Sequence, residues 1–208
     1  DDMRYRLTSM MESLARADGD VESLVAVQRR DLSSSYRYLQ IAETYKQAGE
    51  ADQALRWAED GLKAFPDESS ERLWEFLAEE YHRRERHDDA LAMIWANFAQ
   101  RADLHHYREL QQHATRAKAW KTWREKAVTH IRGDIGRRSR AARVRGALGL
   151  GRVDHSTLVD IFLWEKDTEA AWREAQTGGC SDQLWMRLAK QRETHHPSDA
   201  LGVYQRQV

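Results

Sequence analysis

The chain of 208 residues carries 33 Lys and Arg against 34 Asp and Glu, a formal net charge of −1, with 41% hydrophobic and 32% charged residues and only two prolines. That balance suits a soluble, helix-rich protein whose charges cover the outer faces of many thin amphipathic helices, and eight Trp with seven Tyr exclude a disordered chain. No run approaches the roughly 18 apolar residues of a membrane span, no opening segment resembles a secretion signal, and a cytoplasmic location is expected.

Cys180 is the single cysteine, so these residues hold neither an intrachain disulfide nor a thiolate zinc cage, and Cys180 reads as a small apolar filler. The chain opens at Asp1 without Met and stops at Val208 inside an amphipathic stretch, which reads as part of something longer.

In chain order, residues 2–16 carry Met3, Leu7, Met10, Met11 and Leu14 at helical spacing, and Asp18-Gly19-Asp20 breaks the pattern. A helix over 21–30 with Leu24, Val25 and Val27 inward completes a degenerate opening pair. Ser33, Ser34 or Ser35 then offers a side-chain oxygen to the amides of a helix that runs to about Ala48. Gly49 suits a left-handed turn, a second helix runs from Ala51 to about Phe65, and Pro66 blocks its continuation.

The pattern then recurs at an offset of 36. Tyr38, Ile41, Ala42, Tyr45, Ala54, Leu55, Ala58 and Leu62 correspond to Trp74, Leu77, Ala78, Tyr81, Ala90, Leu91, Ile94 and Phe98. Arg86-His87-Asp88 forms the second turn, with a helix from Asp89 to about Gln100. A repeated helix pair buries its apolar face only by stacking on neighbours, so a solenoid is the expected architecture.

A third pair begins at Asp103 with Leu104, Tyr107, Leu110 and Ala114, and continues through Trp120, Trp123, Ala127 and Ile131. Residues 133–154 contain five glycines around Arg137-Arg138-Ser139-Arg140 and read as a basic Gly/Arg linker or loop. Order resumes at Ser156 with Leu158, Val159, Ile161, Phe162 and Trp164. Its partner carries Ala170, Ala171 and Trp172, and a last pair spans 182–192 and 197–208. The organisation is helical repeats over 1–132, with clear copies at 35–66 and 71–102, then the linker, then two further pairs over 155–208.

The two clear copies resemble the tetratricopeptide repeat on Tyr38, Ile41-Ala42, Tyr45, Ala54 and Pro66, and on Trp74, Leu77-Ala78, Tyr81 and Ala90. That resemblance implies an all-α, right-handed superhelix of four to five antiparallel helix pairs, an α-α solenoid. Beyond the repeat, residues 21–205 are similar to the carboxy-terminal region of bacterial SWIM zinc-finger family proteins. The similarity lies in Arg30-Asp31-Leu32-Ser33-Ser34, Tyr36-Arg37-Tyr38-Leu39, Gly61-Leu62-Lys63-Ala64-Phe65-Pro66, Ile161-Phe162-Leu163-Trp164-Glu165 and Gly178-Gly179-Cys180-Ser181. In that family the zinc finger lies upstream, in a Cys-x-Cys…Cys-x-His pattern that these residues lack. Neither zinc nor the finger's nucleic-acid role transfers to them, and no cofactor or metal is expected.

The repeat resemblance implies a concave groove lined by Tyr36, Leu39, Glu43, Lys46, Gln47, Arg72, Glu75, Glu79, His82, Arg83, Arg108, Gln112 and Arg116. Charges of both signs there suit an extended or helical peptide, so the expected role is a non-catalytic scaffold for a protein or peptide partner. Leu39 and Glu43 stand where chaperone-binding repeats place Lys and Asn, which argues against capture of a terminal carboxylate.

Charge is unevenly spread. From Glu43 to Asp89 there are 14 acids and 7 bases, whereas from Arg116 to Arg152 twelve bases oppose only Glu125 and Asp134. The alternative reading is therefore a nucleic-acid-associated module, with Arg137, Arg138, Arg140, Arg143 and Arg145 as phosphate contacts. His105, Glu109 and His113 are spaced by four and could line one helix, but His-Glu-x-x-His is absent, and they read as polar side chains at the surface near a helix start. No nucleophile–base pair, phosphate-cradling glycine loop or inward acid pair marks an enzyme. Glu79-Glu80 and Asp88-Asp89 are read as exposed.

Overall fold

The computed structural model describes residues 2–66, 70–144 and 154–207, with side chains of 9–15, 17–66, 70–141 and 154–206. Among the described residues there are twelve α-helices and no strand. They are α1 (Asp2–Asp18), α2 (Val21–Gln28), α3 (Ser35–Gln47), α4 (Ala51–Ala64), α5 (Glu71–Arg83), α6 (His87–Gln100), α7 (Leu104–Arg116), α8 (Trp120–Val144), α9 (Ser156–Trp164), α10 (Thr168–Gly178), α11 (Asp182–Arg192) and α12 (Pro197–Gln207). In chain order these make six successive helix pairs, where four to five were expected. No helix among the described residues is long and apolar enough to cross a membrane.

One turn geometry recurs through the first five pairs. Gly19, Gly49, Glu85, Lys118 and Lys166 all have positive φ, and the amide that follows each donates to a carbonyl five residues back, at 2.8–3.0 Å. This is the left-handed helix stop that lets a chain reverse within three residues. Asp20, Ser70, Asp103, Asp167 and Ser181 cap the following helices by accepting from the third residue on. Ser34 occupies the cap of α3, but its side chain makes no cap hydrogen bond, unlike the expectation for the serine run.

The chain divides into two compact units, up to Ile94 and from Trp95 on, with the division inside α6. In the first, α3 and α4 close on Ile41, Ala42, Ala54 and Ala58, each fully buried, because alanines let two helices approach closely. Tyr38 fills the wider end, its ring 5.9 Å from that of Trp57 and 6.1 Å from Phe65. Ala78 and Ala90 are as fully buried in the second copy. The amide of Ser70 donates to Ser35 Oγ at 3.0 Å and ties the start of α5 to the start of α3.

In the second unit Tyr107, Leu110 and Ala114 of α7 and Ala127 of α8 are fully buried, as are Leu158, Ile161, Ala171, Ala175, Leu188 and Ala189 of the later helices. Trp172 and Trp185 meet edge to face at 5.5 Å. Arg192, 4% exposed, stacks on Trp172 at 4.7 Å and bonds Asp199 and Glu169. A buried guanidinium is tolerated there because both of its flanks meet carboxylates.

The linker reading of residues 133–154 is corrected over its first half: α8 continues through residue 144 without a break. Arginine and alanine are strong helix formers, and their sum outweighs the cost of Gly133 and Gly136, about 1 kcal/mol each. Asp134 adds pairs one turn away on both sides, to Arg137 and to His130 at 3.5 Å. The remainder of that segment, 145–153, lies outside the described residues. The second turn also ends earlier than expected, since α6 begins at His87.

Candidate functional site

In the first unit the exposed face of α3 and α5 carries most of the groove residues implied by the repeat. Tyr36 is 45% exposed, and Glu43, Gln47, Arg72, Glu75 and Arg83 are exposed, while Lys46 and Glu79 are half-buried. Two positions are corrected. Leu39 and His82 are buried, at 1% and 3% exposure, and cannot line a groove. Leu39 sits on a helix with three neighbours, α2, α4 and α5, where enclosing a leucine stabilises by about 2 kcal/mol. His82 faces inward against His87, the two Nδ1 atoms 2.7 Å apart.

Beneath that face lies a residue the sequence reading placed at the surface. Glu80 is fully buried, and its Oε1 accepts from Lys46 Nζ at 2.9 Å and from Arg83 Nη1 at 2.8 Å. Its Oε2 makes no hydrogen bond among the described residues. Lys46 Nζ also stands 4.7 Å from the Phe76 ring. Phe76, Glu80 and Arg83 are spaced by four and three on α5, so one stripe of that helix grips the lysine of α3. Glu80 with Arg83 was legible as an i,i+3 pair; the reach of Lys46 was not. The clamp holds α3 and α5 in one register and leaves Glu43, Gln47, Arg72 and Glu75 exposed above it.

In the second unit Arg108, Gln112 and Arg116 are exposed, with the Arg108 guanidinium 5.7 Å from the Trp164 ring. Arg137, Arg138 and Arg140 are exposed on α8, and the side chains of Arg143 and Arg145 lie outside the described residues. Trp123 packs on Trp95 at 5.6 Å, with Lys126 Nζ 4.1 Å from each ring; this desolvation holds the ammonium below its usual range. His105 is exposed and 3.8 Å from Glu109, but His113 is buried, so the three do not share one outward line. Burial, then the charges of Asp154 and Asp182, pushes the Cys180 thiol up to about 12, as befits an inert filler.

No family model and no curated protein matches the chain. Among solved structures it is similar to Pseudomonas aeruginosa PilF, at 17% identity over 97% of this chain and 89% of that one, with a TM-score of 0.39. It is also similar to human IFIT1, solved as a dimer with m7Gppp-AAAA, at 15% identity over 89% of this chain and 43% of that one, with a TM-score of 0.31. Neither likeness bears on what this chain binds.

Proposed function

We propose that this region is a non-catalytic scaffold that docks a partner protein or peptide on the exposed face of α3 and α5, within a longer bacterial, cytoplasmic SWIM zinc-finger family protein. The observation that carries the reading is a set of exposed charges of both signs, Glu43, Arg72 and Glu75, on two helices tied together by Lys46 and Arg83 pairing with buried Glu80. A partner meeting such a face gives up little to ordering it, and mixed charges select register. The family assignment rests on the sequence phrases from Arg30 to Leu39 and from Ile161 to Glu165.

The test is affinity capture by the intact parent protein carrying Glu43→Lys, Arg72→Glu and Glu75→Lys together. Captured protein should be lost while the circular dichroism of the chain is unchanged; undiminished capture rejects this face. Lys46 and Arg83 are left in place because they neutralise a buried carboxylate.

A second reading has its own support. Arg137, Arg138 and Arg140 are exposed on one continuous helix, a concentration of positive charge suited to a phosphate backbone. Nucleic-acid binding with a steep salt dependence, lost on changing these three to glutamine, would favour it, and absence of binding at low salt would reject it.

A further inference from the structure

A cleft of ≈530 Å³ in the second unit is lined by Gln111 of α7, Trp120 and Arg124 of α8, Trp164 of α9, and Glu165, Lys166 and Asp167 of the turn into α10. Its size falls within the range of about 300–1,000 Å³ common to ligand sites. Tyr107 packs behind two of these residues, meeting Trp120 at 5.4 Å and Trp164 at 6.2 Å, both edge to face. Tyr107 itself is fully buried, and its hydroxyl donates to Glu165 Oε1 at 2.7 Å.

The charges of the cleft are not equally engaged. Glu165 is taken up on both oxygens, by Arg124 Nε at 2.8 Å and Arg124 Nη2 at 2.6 Å in addition to Tyr107. Asp167 caps α10 by accepting from the amide of Ala170 at 2.9 Å. Arg124 has five N–H groups, and those two bonds use its side edge; the end-on pair of N–H groups on Nη1 and Nη2 is available for a second oxyanion. Lys166 is exposed beside it, on a backbone fixed at φ 64° by the amide of Asp167 bonding Phe162 O at 2.9 Å. Gln111 adds a neutral amide able to both donate and accept.

We propose that this cleft binds an acidic peptide segment, taking one carboxylate on the end-on edge of Arg124 and on Lys166, with a neighbouring aromatic or aliphatic side chain between Trp120 and Trp164. The proposal rests on the docking reading above and names the chemistry of the partner. Arg124 and Lys166 balance Glu165 and Asp167 in the lining, and the Arg108 guanidinium, 5.7 Å from the Trp164 ring, adds one positive charge beside it. A monoanion fits that balance; a phosphate dianion would meet two carboxylates with too few cations. Gln111 suits a peptide amide, and the two indoles in the lining suit an apolar anchor.

The experiment is fluorescence anisotropy of the full chain with two fluorescein-labelled peptides, one alternating glutamate with phenylalanine and leucine, the other with every glutamate replaced by glutamine. The glutamate peptide should bind about tenfold more tightly, the effect of one charge-assisted contact. Arg108→Gln with Lys166→Gln should remove most of that advantage, and so should Gln111→Glu, which adds an acid without opening the packing. Equal affinity for the two peptides overturns the proposal, as does unchanged binding in both variants of a chain with native circular dichroism. Complete displacement by oligouridylate RNA at concentrations below those of the peptide would also overturn it and place a nucleic acid in the cleft. A chain that ignores both peptides yet captures a partner through Glu43, Arg72 and Glu75 refutes the cleft alone. Peptide binding with capture indifferent to those three residues refutes the α3–α5 face alone.

Discussion

Gly49 and Glu85 occupy the same backbone position in successive helix pairs, 36 residues apart, with φ of 83° and 60°. The amides that follow them bond identically, Glu50 to Tyr45 O and Arg86 to Tyr81 O, both at 2.9 Å. Only the first of the two residues lacks a Cβ, so the second copy carries strain that the first does not. Glu85→Gly should raise the stability of the chain by about 1 kcal/mol, and Gly49→Ala should lower it by a similar amount. Urea midpoints compared at constant slope check both, and an unmoved midpoint for Glu85→Gly would mean that its left-handed turn is unstrained.

Gly61 answers to a different need. A Cβ there would stand 2.6 Å from Tyr38 Cβ, 3.1 Å from Tyr38 Cγ and 3.3 Å from Leu73 Cδ2. The first of these is too close for any real pair of carbons and involves the rigid base of a side chain, so α3 and α4 must part to admit it. Gly61→Ala should cost about 1–3 kcal/mol despite the better helix propensity of alanine. A stabilised variant in thermal unfolding would show that α4 can shift along α3 freely.

The buried carboxylate of Glu80 depends on two cations from different helices. Lys46→Met leaves it with Arg83 alone and should destabilise by about 1–3 kcal/mol, below the full value for a buried pair because the lysine is about a third exposed. Adding Glu80→Leu to Lys46→Met should recover much of the loss, since an apolar pair needs no desolvated charge. Strictly additive losses in that double-mutant cycle would mean that the two side chains do not interact.

The helix pairs were legible because Ala42, Ala54, Ala78 and Ala90 mark close seams, and all four are fully buried. The repeat resemblance placed Leu39 and His82 in a groove, and the acid pair Glu79-Glu80 read as exposed, yet Leu39, His82 and Glu80 are buried, because spacing along one helix does not say which neighbours it meets. Lys118 and Lys166 carry no turn signature, because the left-handed conformation is imposed there by the hydrogen bonds of the reversal rather than by a glycine. Gly133 and Gly136 gave the opposite error, reading as loop inside a helix. The cleft around Glu165 was beyond reach of any local pattern, for Tyr107 and Arg124 lie 58 and 41 residues away from it in the chain.

Tyr81 sets an alkaline limit on stability. Its phenol is pushed up from 10.0 to about 12, first by burial, then by the bond its hydroxyl donates to Glu59 Oε1 at 2.9 Å and by that carboxylate's charge. Between those two values the unfolded chain has lost the proton and the folded chain keeps it, so the folded state binds more protons and stability falls as pH rises. The contribution is complete below about pH 10 and gone above about pH 12. Tyr45 and Tyr107 shift in the same direction through burial, so the whole chain should show a steeper decline than one phenol explains. Replacing Tyr81 by Phe should reduce the slope of unfolding free energy against pH by one proton in that window, measured by urea denaturation at about pH 9 and about pH 11. An unchanged slope would mean that Tyr81 ionises as readily in the folded chain as in the unfolded one, and that Glu59 does not hold its proton.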